Sequence, residues 1–334
     1  MRKSVFLLLI ITLSGITACA PQSDCFSEDV FCAALVTDTR GINDLGINQN
    51  TWAGLTESKA QGIVDQIANI ESVDPRDYEK NIAFFVNAGY DVIFTSGIGL
   101  QNASLRSADL YPDTVFIGMN QADEESVPNF ISVTFPEDQM GFLAGVLAVR
   151  LTRTNIVGGI CETSGIDSMW RYCEGFRAGA KYADESVRIF VLYRDNQSSD
   201  KLFNDAEWGA ESARTLIGEG ADILFAVGGE TGTSALRTAA EAGILIIGAE
   251  RDQGAVLGEK GSSVAASFLG EASFTVQDLM RQIKGGNLAD SPSSPIRFLA
   301  LNSVIPKSVI EELNDILAGL AGGELKINIP FEKP

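Results

Sequence analysis

Ala33-Ala-Leu-Val-Thr-Asp-Thr-Arg-Gly-Ile-Asn-Asp-Leu-Gly-Ile-Asn-Gln-Asn-Thr-Trp-Ala-Gly-Leu55 runs from a short apolar stretch through a polar, glycine-containing loop into a helical pattern. A second segment, Val157-Gly-Gly-Ile-Cys-Glu-Thr-Ser-Gly-Ile-Asp-Ser-Met-Trp-Arg-Tyr-Cys-Glu-Gly-Phe176, has the same order of strand, loop and helix. The likeness continues downstream. Gly89-Tyr-Asp-Val-Ile-Phe-Thr-Ser-Gly97 matches Gly220-Ala-Asp-Ile-Leu-Phe-Ala-Val-Gly228 at an offset of 131, and Phe116-Ile-Gly-Met-Asn120 matches Ile246-Ile-Gly-Ala-Glu250 at 130. A period that long means two similar α/β lobes, since solenoid repeats are shorter.

Outward from these segments, strands are expected over 32–37, 62–68, 91–95, 114–119 and 130–133, with helices over 45–59, 75–88, 101–110 and 137–151. The second lobe repeats the rhythm with strands over 156–161, 187–193, 221–226 and 244–248 and helices over 169–183, 206–218 and 233–242. Regular alternation of strand and helix predicts two doubly wound, Rossmann-like lobes with parallel sheets. A helix over 270–284, a loop over 285–295, a strand over 296–301, a helix over 306–317 and an extended piece over 326–329 remain. These are too little for a third domain, so the chain is expected to return between the lobes. The expected division is 32–150 with 266–301 in the N-terminal lobe and 151–265 with 302–334 in the C-terminal lobe, joined by hinge strands.

The 334 residues suffice for two buried cores, at 45% apolar composition. A net charge of −19 repels phosphate backbones and argues against nucleic-acid binding. Histidine is absent, which removes imidazole-based triads and the commonest zinc sites. No metal or cofactor is expected.

Residues 1–18 have a basic start, a short apolar core and small residues before Cys19, the pattern of an export signal. Ile16-Thr-Ala-Cys19 resembles a bacterial lipobox, so Cys19 is the expected lipidated first residue, 19–31 a tether, and the lipid the only membrane contact. The protein is thus expected outside the cytoplasm on the bacterial cell membrane. Cys25, Cys32, Cys161 and Cys173 allow three pairings, and sequence does not choose among them. Cys25 with Cys32 and Cys161 with Cys173 is the preferred set, because it ties the tether to the first strand and a strand end to its helix; free buried thiols are the alternative.

Ligands of open parallel sheets bind beyond the carboxyl ends of the strands. In the first lobe those ends carry Asp38 to Asp44, with Asn43 among them, Gly97 to Gly99 and Asn120; in the second they carry Glu162 to Ser168, with Asp167 among them, Gly228 to Gly232 and Glu250. Facing loops of amides, carboxylates and glycine N–H groups suit a polyhydroxylated or heterocyclic small molecule. Asp38, Asn43 and Asp44 read equally as turn and cap residues, and each glycine as a tight-turn residue. Phe203 enters a helix from a polar stretch, as a staple or as a ring that stacks on a ligand. The dinucleotide fingerprint and the Gly-Lys-Ser/Thr phosphate loop are both lacking.

Several long matches in order give the chain a family resemblance. They are Thr37-Asp-Thr-Arg-Gly-Ile-Asn-Asp44 with Asn48-Gln-Asn-Thr-Trp-Ala-Gly-Leu55, Ser132-Val-Thr-Phe135, Gly141-Phe-Leu-Ala-Gly-Val-Leu-Ala148, Gly175-Phe-Arg-Ala-Gly-Ala-Lys-Tyr182, Gly220-Ala-Asp222 and Asp252-Gln253. With these the chain resembles the basic membrane protein family of bacterial lipoproteins, which includes purine nucleoside receptors and has the type 1 periplasmic binding protein fold. The resemblance implies a monomer that captures a nucleoside between its lobes and delivers it to an ABC permease, with the base between two aromatic rings and the ribose held by acids and a lysine. Asn43, Asp44 and Asn48 keep the family's loop, and Phe203 matches the ring of the second lobe. Asn120 stands where many members have Asp, and Glu250 where the ribose-binding Asp belongs. Ile47 replaces the first-lobe ring, and Gly270 the lysine. Those two losses weaken a purine nucleoside by about 1–3 kcal/mol unless another group, such as Trp170 or Trp208, compensates. A sensor, a sugar-like ligand, and a carboxylate-based hydrolase using Asp38, Glu162 or Glu250 are the other readings; no nucleophile–base pair or metal cluster in the sequence supports the last.

Overall fold

The structure, a computed structural model, describes residues 25–44, 46–121, 127–287, 295–300 and 303–329. The expected signal segment and Cys19 lie outside the described residues.

The apolar run Cys32–Thr37 forms β1, buried along its whole length. Such a run, hydrophobic on both faces, suits the middle of a parallel sheet covered by helices. After it come α1 (Ile47–Ala60), β2 (Gln66–Glu71), α2 (Tyr78–Asn87), β3 (Val92–Ser96), α3 (Gln101–Leu110), β4 (Val115–Met119), β5 (Phe130–Val133) and α4 (Glu137–Leu151). The second series is β6 (Ile156–Cys161), α5 (Asp167–Ala183), β7 (Arg188–Tyr193), α6 (Ala206–Gly218), β8 (Ile223–Ala226), α7 (Gly229–Glu241), β9 (Leu245–Ala249), the short α8 (Gln253–Leu257) and β10 (Val264–Gly270). The chain continues through α9 (Ala272–Lys284), β11 (Ile296–Ala300) and α10 (Lys307–Ala321).

The first sheet has the order β2-β1-β3-β4-β5, all parallel. The second has the order β11-β10-β9-β8-β6-β7, parallel except for β11, which runs antiparallel to β10. Strands β6 to β10 therefore repeat the winding of β1 to β5, which gives the sequence repeat its structural meaning. Each sheet reverses its strand order next to its first strand, the place where such folds open a crevice.

Three elements differ from their expected positions. Strand β10 was not foreseen, because Val264-Ala-Ala-Ser-Phe-Leu-Gly270 is rich in small residues. It and β11 join the second sheet, although 266–301 was expected in the first lobe; of that stretch, α9 lies against α1. Residues 326–329 form no strand.

The glycines of the family-like motifs are packing devices. A Cβ on Gly141 or Gly145 of α4 would collide with the carbonyls of Tyr172 and Phe176 on α5, and one on Gly175 or Gly179 of α5 with those of Asp138 and Phe142 on α4. The two helices thus touch backbone to backbone, and α4, expected with 32–150 in the first lobe, packs against α5, α10 and strands β8, β9 and β10 of the second. Gly54 serves α1 and α9 in the same way, meeting Val276 and the Ser273 carbonyl. Disulfides join Cys25 to Cys32 and Cys161 to Cys173. The first ties the segment before β1 to that strand, and the second ties the end of β6 to α5. No helix among the described residues is long and apolar enough to cross a membrane.

Candidate functional site

The carboxyl ends of the two sheets face each other across a cavity of about 560 Å³. Asp38, Ile47 and Asn120 line it from the first lobe and Phe203 and Glu250 from the second.

Backbone geometry at the strand ends is shared between lobes. Gly97 after β3 and Gly228 after β8 both have φ +109. A Cβ at Gly97 would come within 2.6 Å of Asp38 Oδ2, and one at Gly228 within 2.7 Å of Glu162 Cβ, so each glycine makes room for the acid that ends the neighbouring strand. Asn120 after β4 and Glu250 after β9 are both left-handed, with φ 59 and 64. Phe203 is left-handed too, at φ 61. Non-glycine residues adopt this region at a cost of about 1–2 kcal/mol, and such strain gathers where a chain must present groups to a ligand.

Asp38 accepts from Arg40 Nε at 2.9 Å and Nη2 at 2.7 Å, and from Asn48 Nδ2 at 2.8 Å. Burial opposes the charge on Arg40, but Asp38, supported by Asp44 and Glu250, outweighs it and raises the guanidinium above its ordinary pKa. Glu250 Oε2 accepts from the N–H groups of Gly228 at 3.0 Å and Gly229 at 3.3 Å, the amino end of α7, where a negative charge is favourable. Asn120 has no side-chain hydrogen bond among the described residues and presents a free amide.

The remaining expected residues stand behind the cavity or away from it. Asp44 is buried and accepts from the backbone N–H groups of Gly46, Asn48 and Gln49, the capping role that its position before α1 allows. Asn48 positions Asp38 and also donates to Gly41 O at 3.0 Å, so it acts at one remove. Gly97 and Gly228 shape the loops without lining the cavity. Asn43 is exposed outside the lining. Asp167 is the exposed first residue of α5, one position before the lining residue Ser168. Trp170 turns away as well: it is 5% exposed and stacks on Tyr193 of β7, with ring centroids 5.8 Å apart. The helical repeat explains this, because Ser168, Met169 and Tyr172 form the cavity face of α5 and Trp170 points to the sheet. Trp208 packs into the second-lobe core.

Four residues not foreseen complete the site. Phe135, Glu137 and Tyr172 line the cavity at the crossing between lobes. The Phe135 ring occupies the space a side chain at Gly270 would need, so the glycine and the ring are complementary. Arg251, directly after Glu250, spans the two lobes: Nη2 donates to Thr233 Oγ1 at 2.7 Å and Nη1 to Asp44 O at 3.4 Å. Its aliphatic stem lies flush on Gly46. Glu137 is 5% exposed, and burial raises its pKa to about 7 against the opposing pull of Arg171. Tyr172 is raised well above its usual value by burial, then by Glu137 and Glu250. The rule about strand ends was enough to find Phe135, two residues after β5. No group of three or more His, Cys, Asp and Glu residues able to hold a metal ion occurs among the described residues.

A family model described as Bmp, ABC transporter substrate-binding protein PnrA-like, matches residues 31–292. The chain is 27% identical to a CD4+ T-cell-stimulating antigen of Listeria monocytogenes, with all of both chains covered. It is 26% identical to the ABC transporter nucleoside-binding protein BmpA of Lactococcus lactis over 86% of each chain, and 26% identical to basic membrane protein D of Borreliella burgdorferi over 76% of this chain and 72% of that one. Among solved structures, a solute-binding protein of an ABC transporter system from Conexibacter woesei superposes with a TM-score of 0.73 at 22% identity, covering 91% of this chain and 100% of that one. A transcriptional activator of the comK gene from Bacillus halodurans reaches the same TM-score and identity over 90% and 99%.

Proposed function

Because the chain belongs to the Bmp family of PnrA-like ABC transporter substrate-binding proteins, we propose that it captures a nucleoside between its lobes and presents it to an ABC permease, held at the membrane by a lipid on Cys19. The observation that carries the ligand class is the convergence on one cavity of the Phe203 ring, the Asn120 amide and the carboxylates Asp38 and Glu250. The ring suits a heterocycle and the acids suit ribose hydroxyl groups. Three lining carboxylates, Asp38, Glu230 and Glu250, against two arginines, Arg40 and Arg251, disfavour a phosphorylated ligand. The nucleoside binding named for the Lactococcus lactis relative agrees with this reading. Closure would join contacts from both lobes, and Arg251 already bridges them. We place lobe crossings at residues 134–136, between β5 and α4, and at the turn between β10 and α9.

The test is a thermal-shift panel of nucleosides, free bases, sugars and amino acids on the tether-truncated protein. A nucleoside at about 100-fold excess over Kd stabilises by about 2.7 kcal/mol. A clear shift with a sugar and none with any nucleoside would refute the ligand assignment.

A further inference from the structure

The cavity's acids differ in what the protein asks of them. Asp38 is held by Arg40 and Asn48, Glu250 by two glycine amides, and Glu230 by Arg237 at 3.3 Å. Glu137 has no hydrogen-bonded side-chain or amide partner of that kind among the described residues. Its nearest cation, Arg171 Nε, is 3.8 Å away, beyond hydrogen-bond distance, while Arg171 Nη2 is committed to Asp138 Oδ1 at 2.6 Å. Arg171 Nε itself is buried without a hydrogen-bond partner. Glu137 lines the cavity with Phe135, Met140, Met169 and Tyr172, and the Tyr172 hydroxyl turns to Met140 Sδ at 3.8 Å instead of to the acid. A polar group 95% removed from water is expected to have its hydrogen bonds made, and apart from its own backbone N–H the described residues offer Glu137 none.

We propose that Glu137 is a specificity-determining ligand contact, which takes up the ligand as a neutral carboxylic acid against an adjacent donor–acceptor pair on the heterocycle. This rests on the nucleoside reading above. A neutral carboxyl donates through O–H and accepts through C=O side by side. That pair complements the ring nitrogen and amino group of adenine, and equally the N1–H and O6 of hypoxanthine. The ionised form has acceptors only and would face an acceptor on the ligand.

The surroundings favour the neutral form. Charged groups near Glu137 are Arg171 and Asp167 on α5 and Asp138 on α4, two of the three being acidic. Glu250 and Arg40 lie across the same cavity, one of each sign, and the Tyr172 phenol stays protonated. Burial dominates, placing the acid at about 7. The chain has no histidine, so no imidazole obscures a titration in this range.

The experiment is calorimetric titration with adenosine and inosine at pH about 6 and about 8, on wild type, Glu137→Gln and Glu137→Ala, each checked for folding by circular dichroism. A group titrating near 7 loses about tenfold in its protonated fraction across that span, so wild-type affinity should fall about tenfold. Glu137→Gln, whose amide mimics the neutral acid, should bind as wild type does at the lower pH and show no dependence. Glu137→Ala should bind at least about tenfold more weakly at the lower pH. One pH profile shared by wild type and Glu137→Gln, or wild-type affinity in Glu137→Ala, overturns the proposal and leaves the nucleoside reading standing. Absence of binding by either nucleoside to wild type at any pH removes that reading, and this inference with it.

Discussion

The first strand of each lobe ends in an acid beside a glycine of the same conformation, yet the two acids live in opposite environments. Asp38, after β1, shares the cavity with Arg40, whose side chain is 43% exposed. Glu162, at the equivalent place after β6, is fully buried, and Arg194 beside it is only 2% exposed, donating to Glu162 Oε1 at 2.9 Å and to Asp205 Oδ2 at 3.0 Å. The repeat therefore preserves the backbone turn and not the function of the residue on it. In the first lobe the strand-end acid is turned to the cleft. In the second it is consumed internally, tying the end of β6 to the loop before α6, and the carboxylate that reaches the cleft comes instead from Glu250 after β9.

The largest effect expected from this difference is on stability. Arg194→Ala strands two buried carboxylates, Glu162 and Asp205, and should cost about 3–5 kcal/mol in denaturant unfolding. Arg40→Ala removes a solvent-screened partner and should cost less than about 1 kcal/mol. Equal losses from the two substitutions would break the comparison.

Glu137 is a third case, buried like Glu162 but with its nearest guanidinium, Arg171, at 3.8 Å and not hydrogen-bonded to it, and a pH series would separate the two. Its folded pKa of about 7 lies above the ordinary 4.5, so the folded state binds the extra proton. The stability this provides is complete below about pH 4.5 and is lost as pH rises to about 7. The shift of roughly 2.5 units corresponds to about 3 kcal/mol. Glu137→Gln should therefore melt close to wild type at low pH and above it at neutral pH, with the gap opening between those limits. A gap independent of pH would mean that Glu137 is ionised throughout.

The sequence made the paired lobes legible because each strand is an apolar run and each repeat keeps its turn residues at fixed spacing. Helices such as Gln101–Leu110, Glu137–Leu151 and Ala206–Gly218 were readable from their start and stop residues. Strand β10 was not, since Ala265, Ala266 and Ser267 give no β-branched signal, and its place in the second sheet is a long-range choice. At the site, Asp38, Asn120, Phe203 and Glu250 follow from strand ends and local pattern. Trp170 was misplaced because its helix was known but not its rotation, which packing of α5 on α4 decides. Glu137 and Arg251 gain their meaning only when the two lobes meet.

The smallest effect concerns the rings. Phe203 of the second lobe lines the cavity, and from the first lobe the facing element, the start of α1, offers Ile47. An isoleucine covers a heterocycle by dispersion alone, without the offset stacking that a ring allows. Ile47 is partly exposed at the cavity and packs on the core edge, so an added ring can extend into the cavity and need not displace buried neighbours. Ile47→Phe should tighten nucleoside binding by about 0.5–1.5 kcal/mol, up to roughly tenfold in Kd, and leave the affinity for a free pentose nearly unchanged. The same gain for pentose and nucleoside would show that position 47 meets the sugar. A loss for the nucleoside alone would show that Phe135, seated over Gly270, already supplies the second platform and that the new ring competes with it.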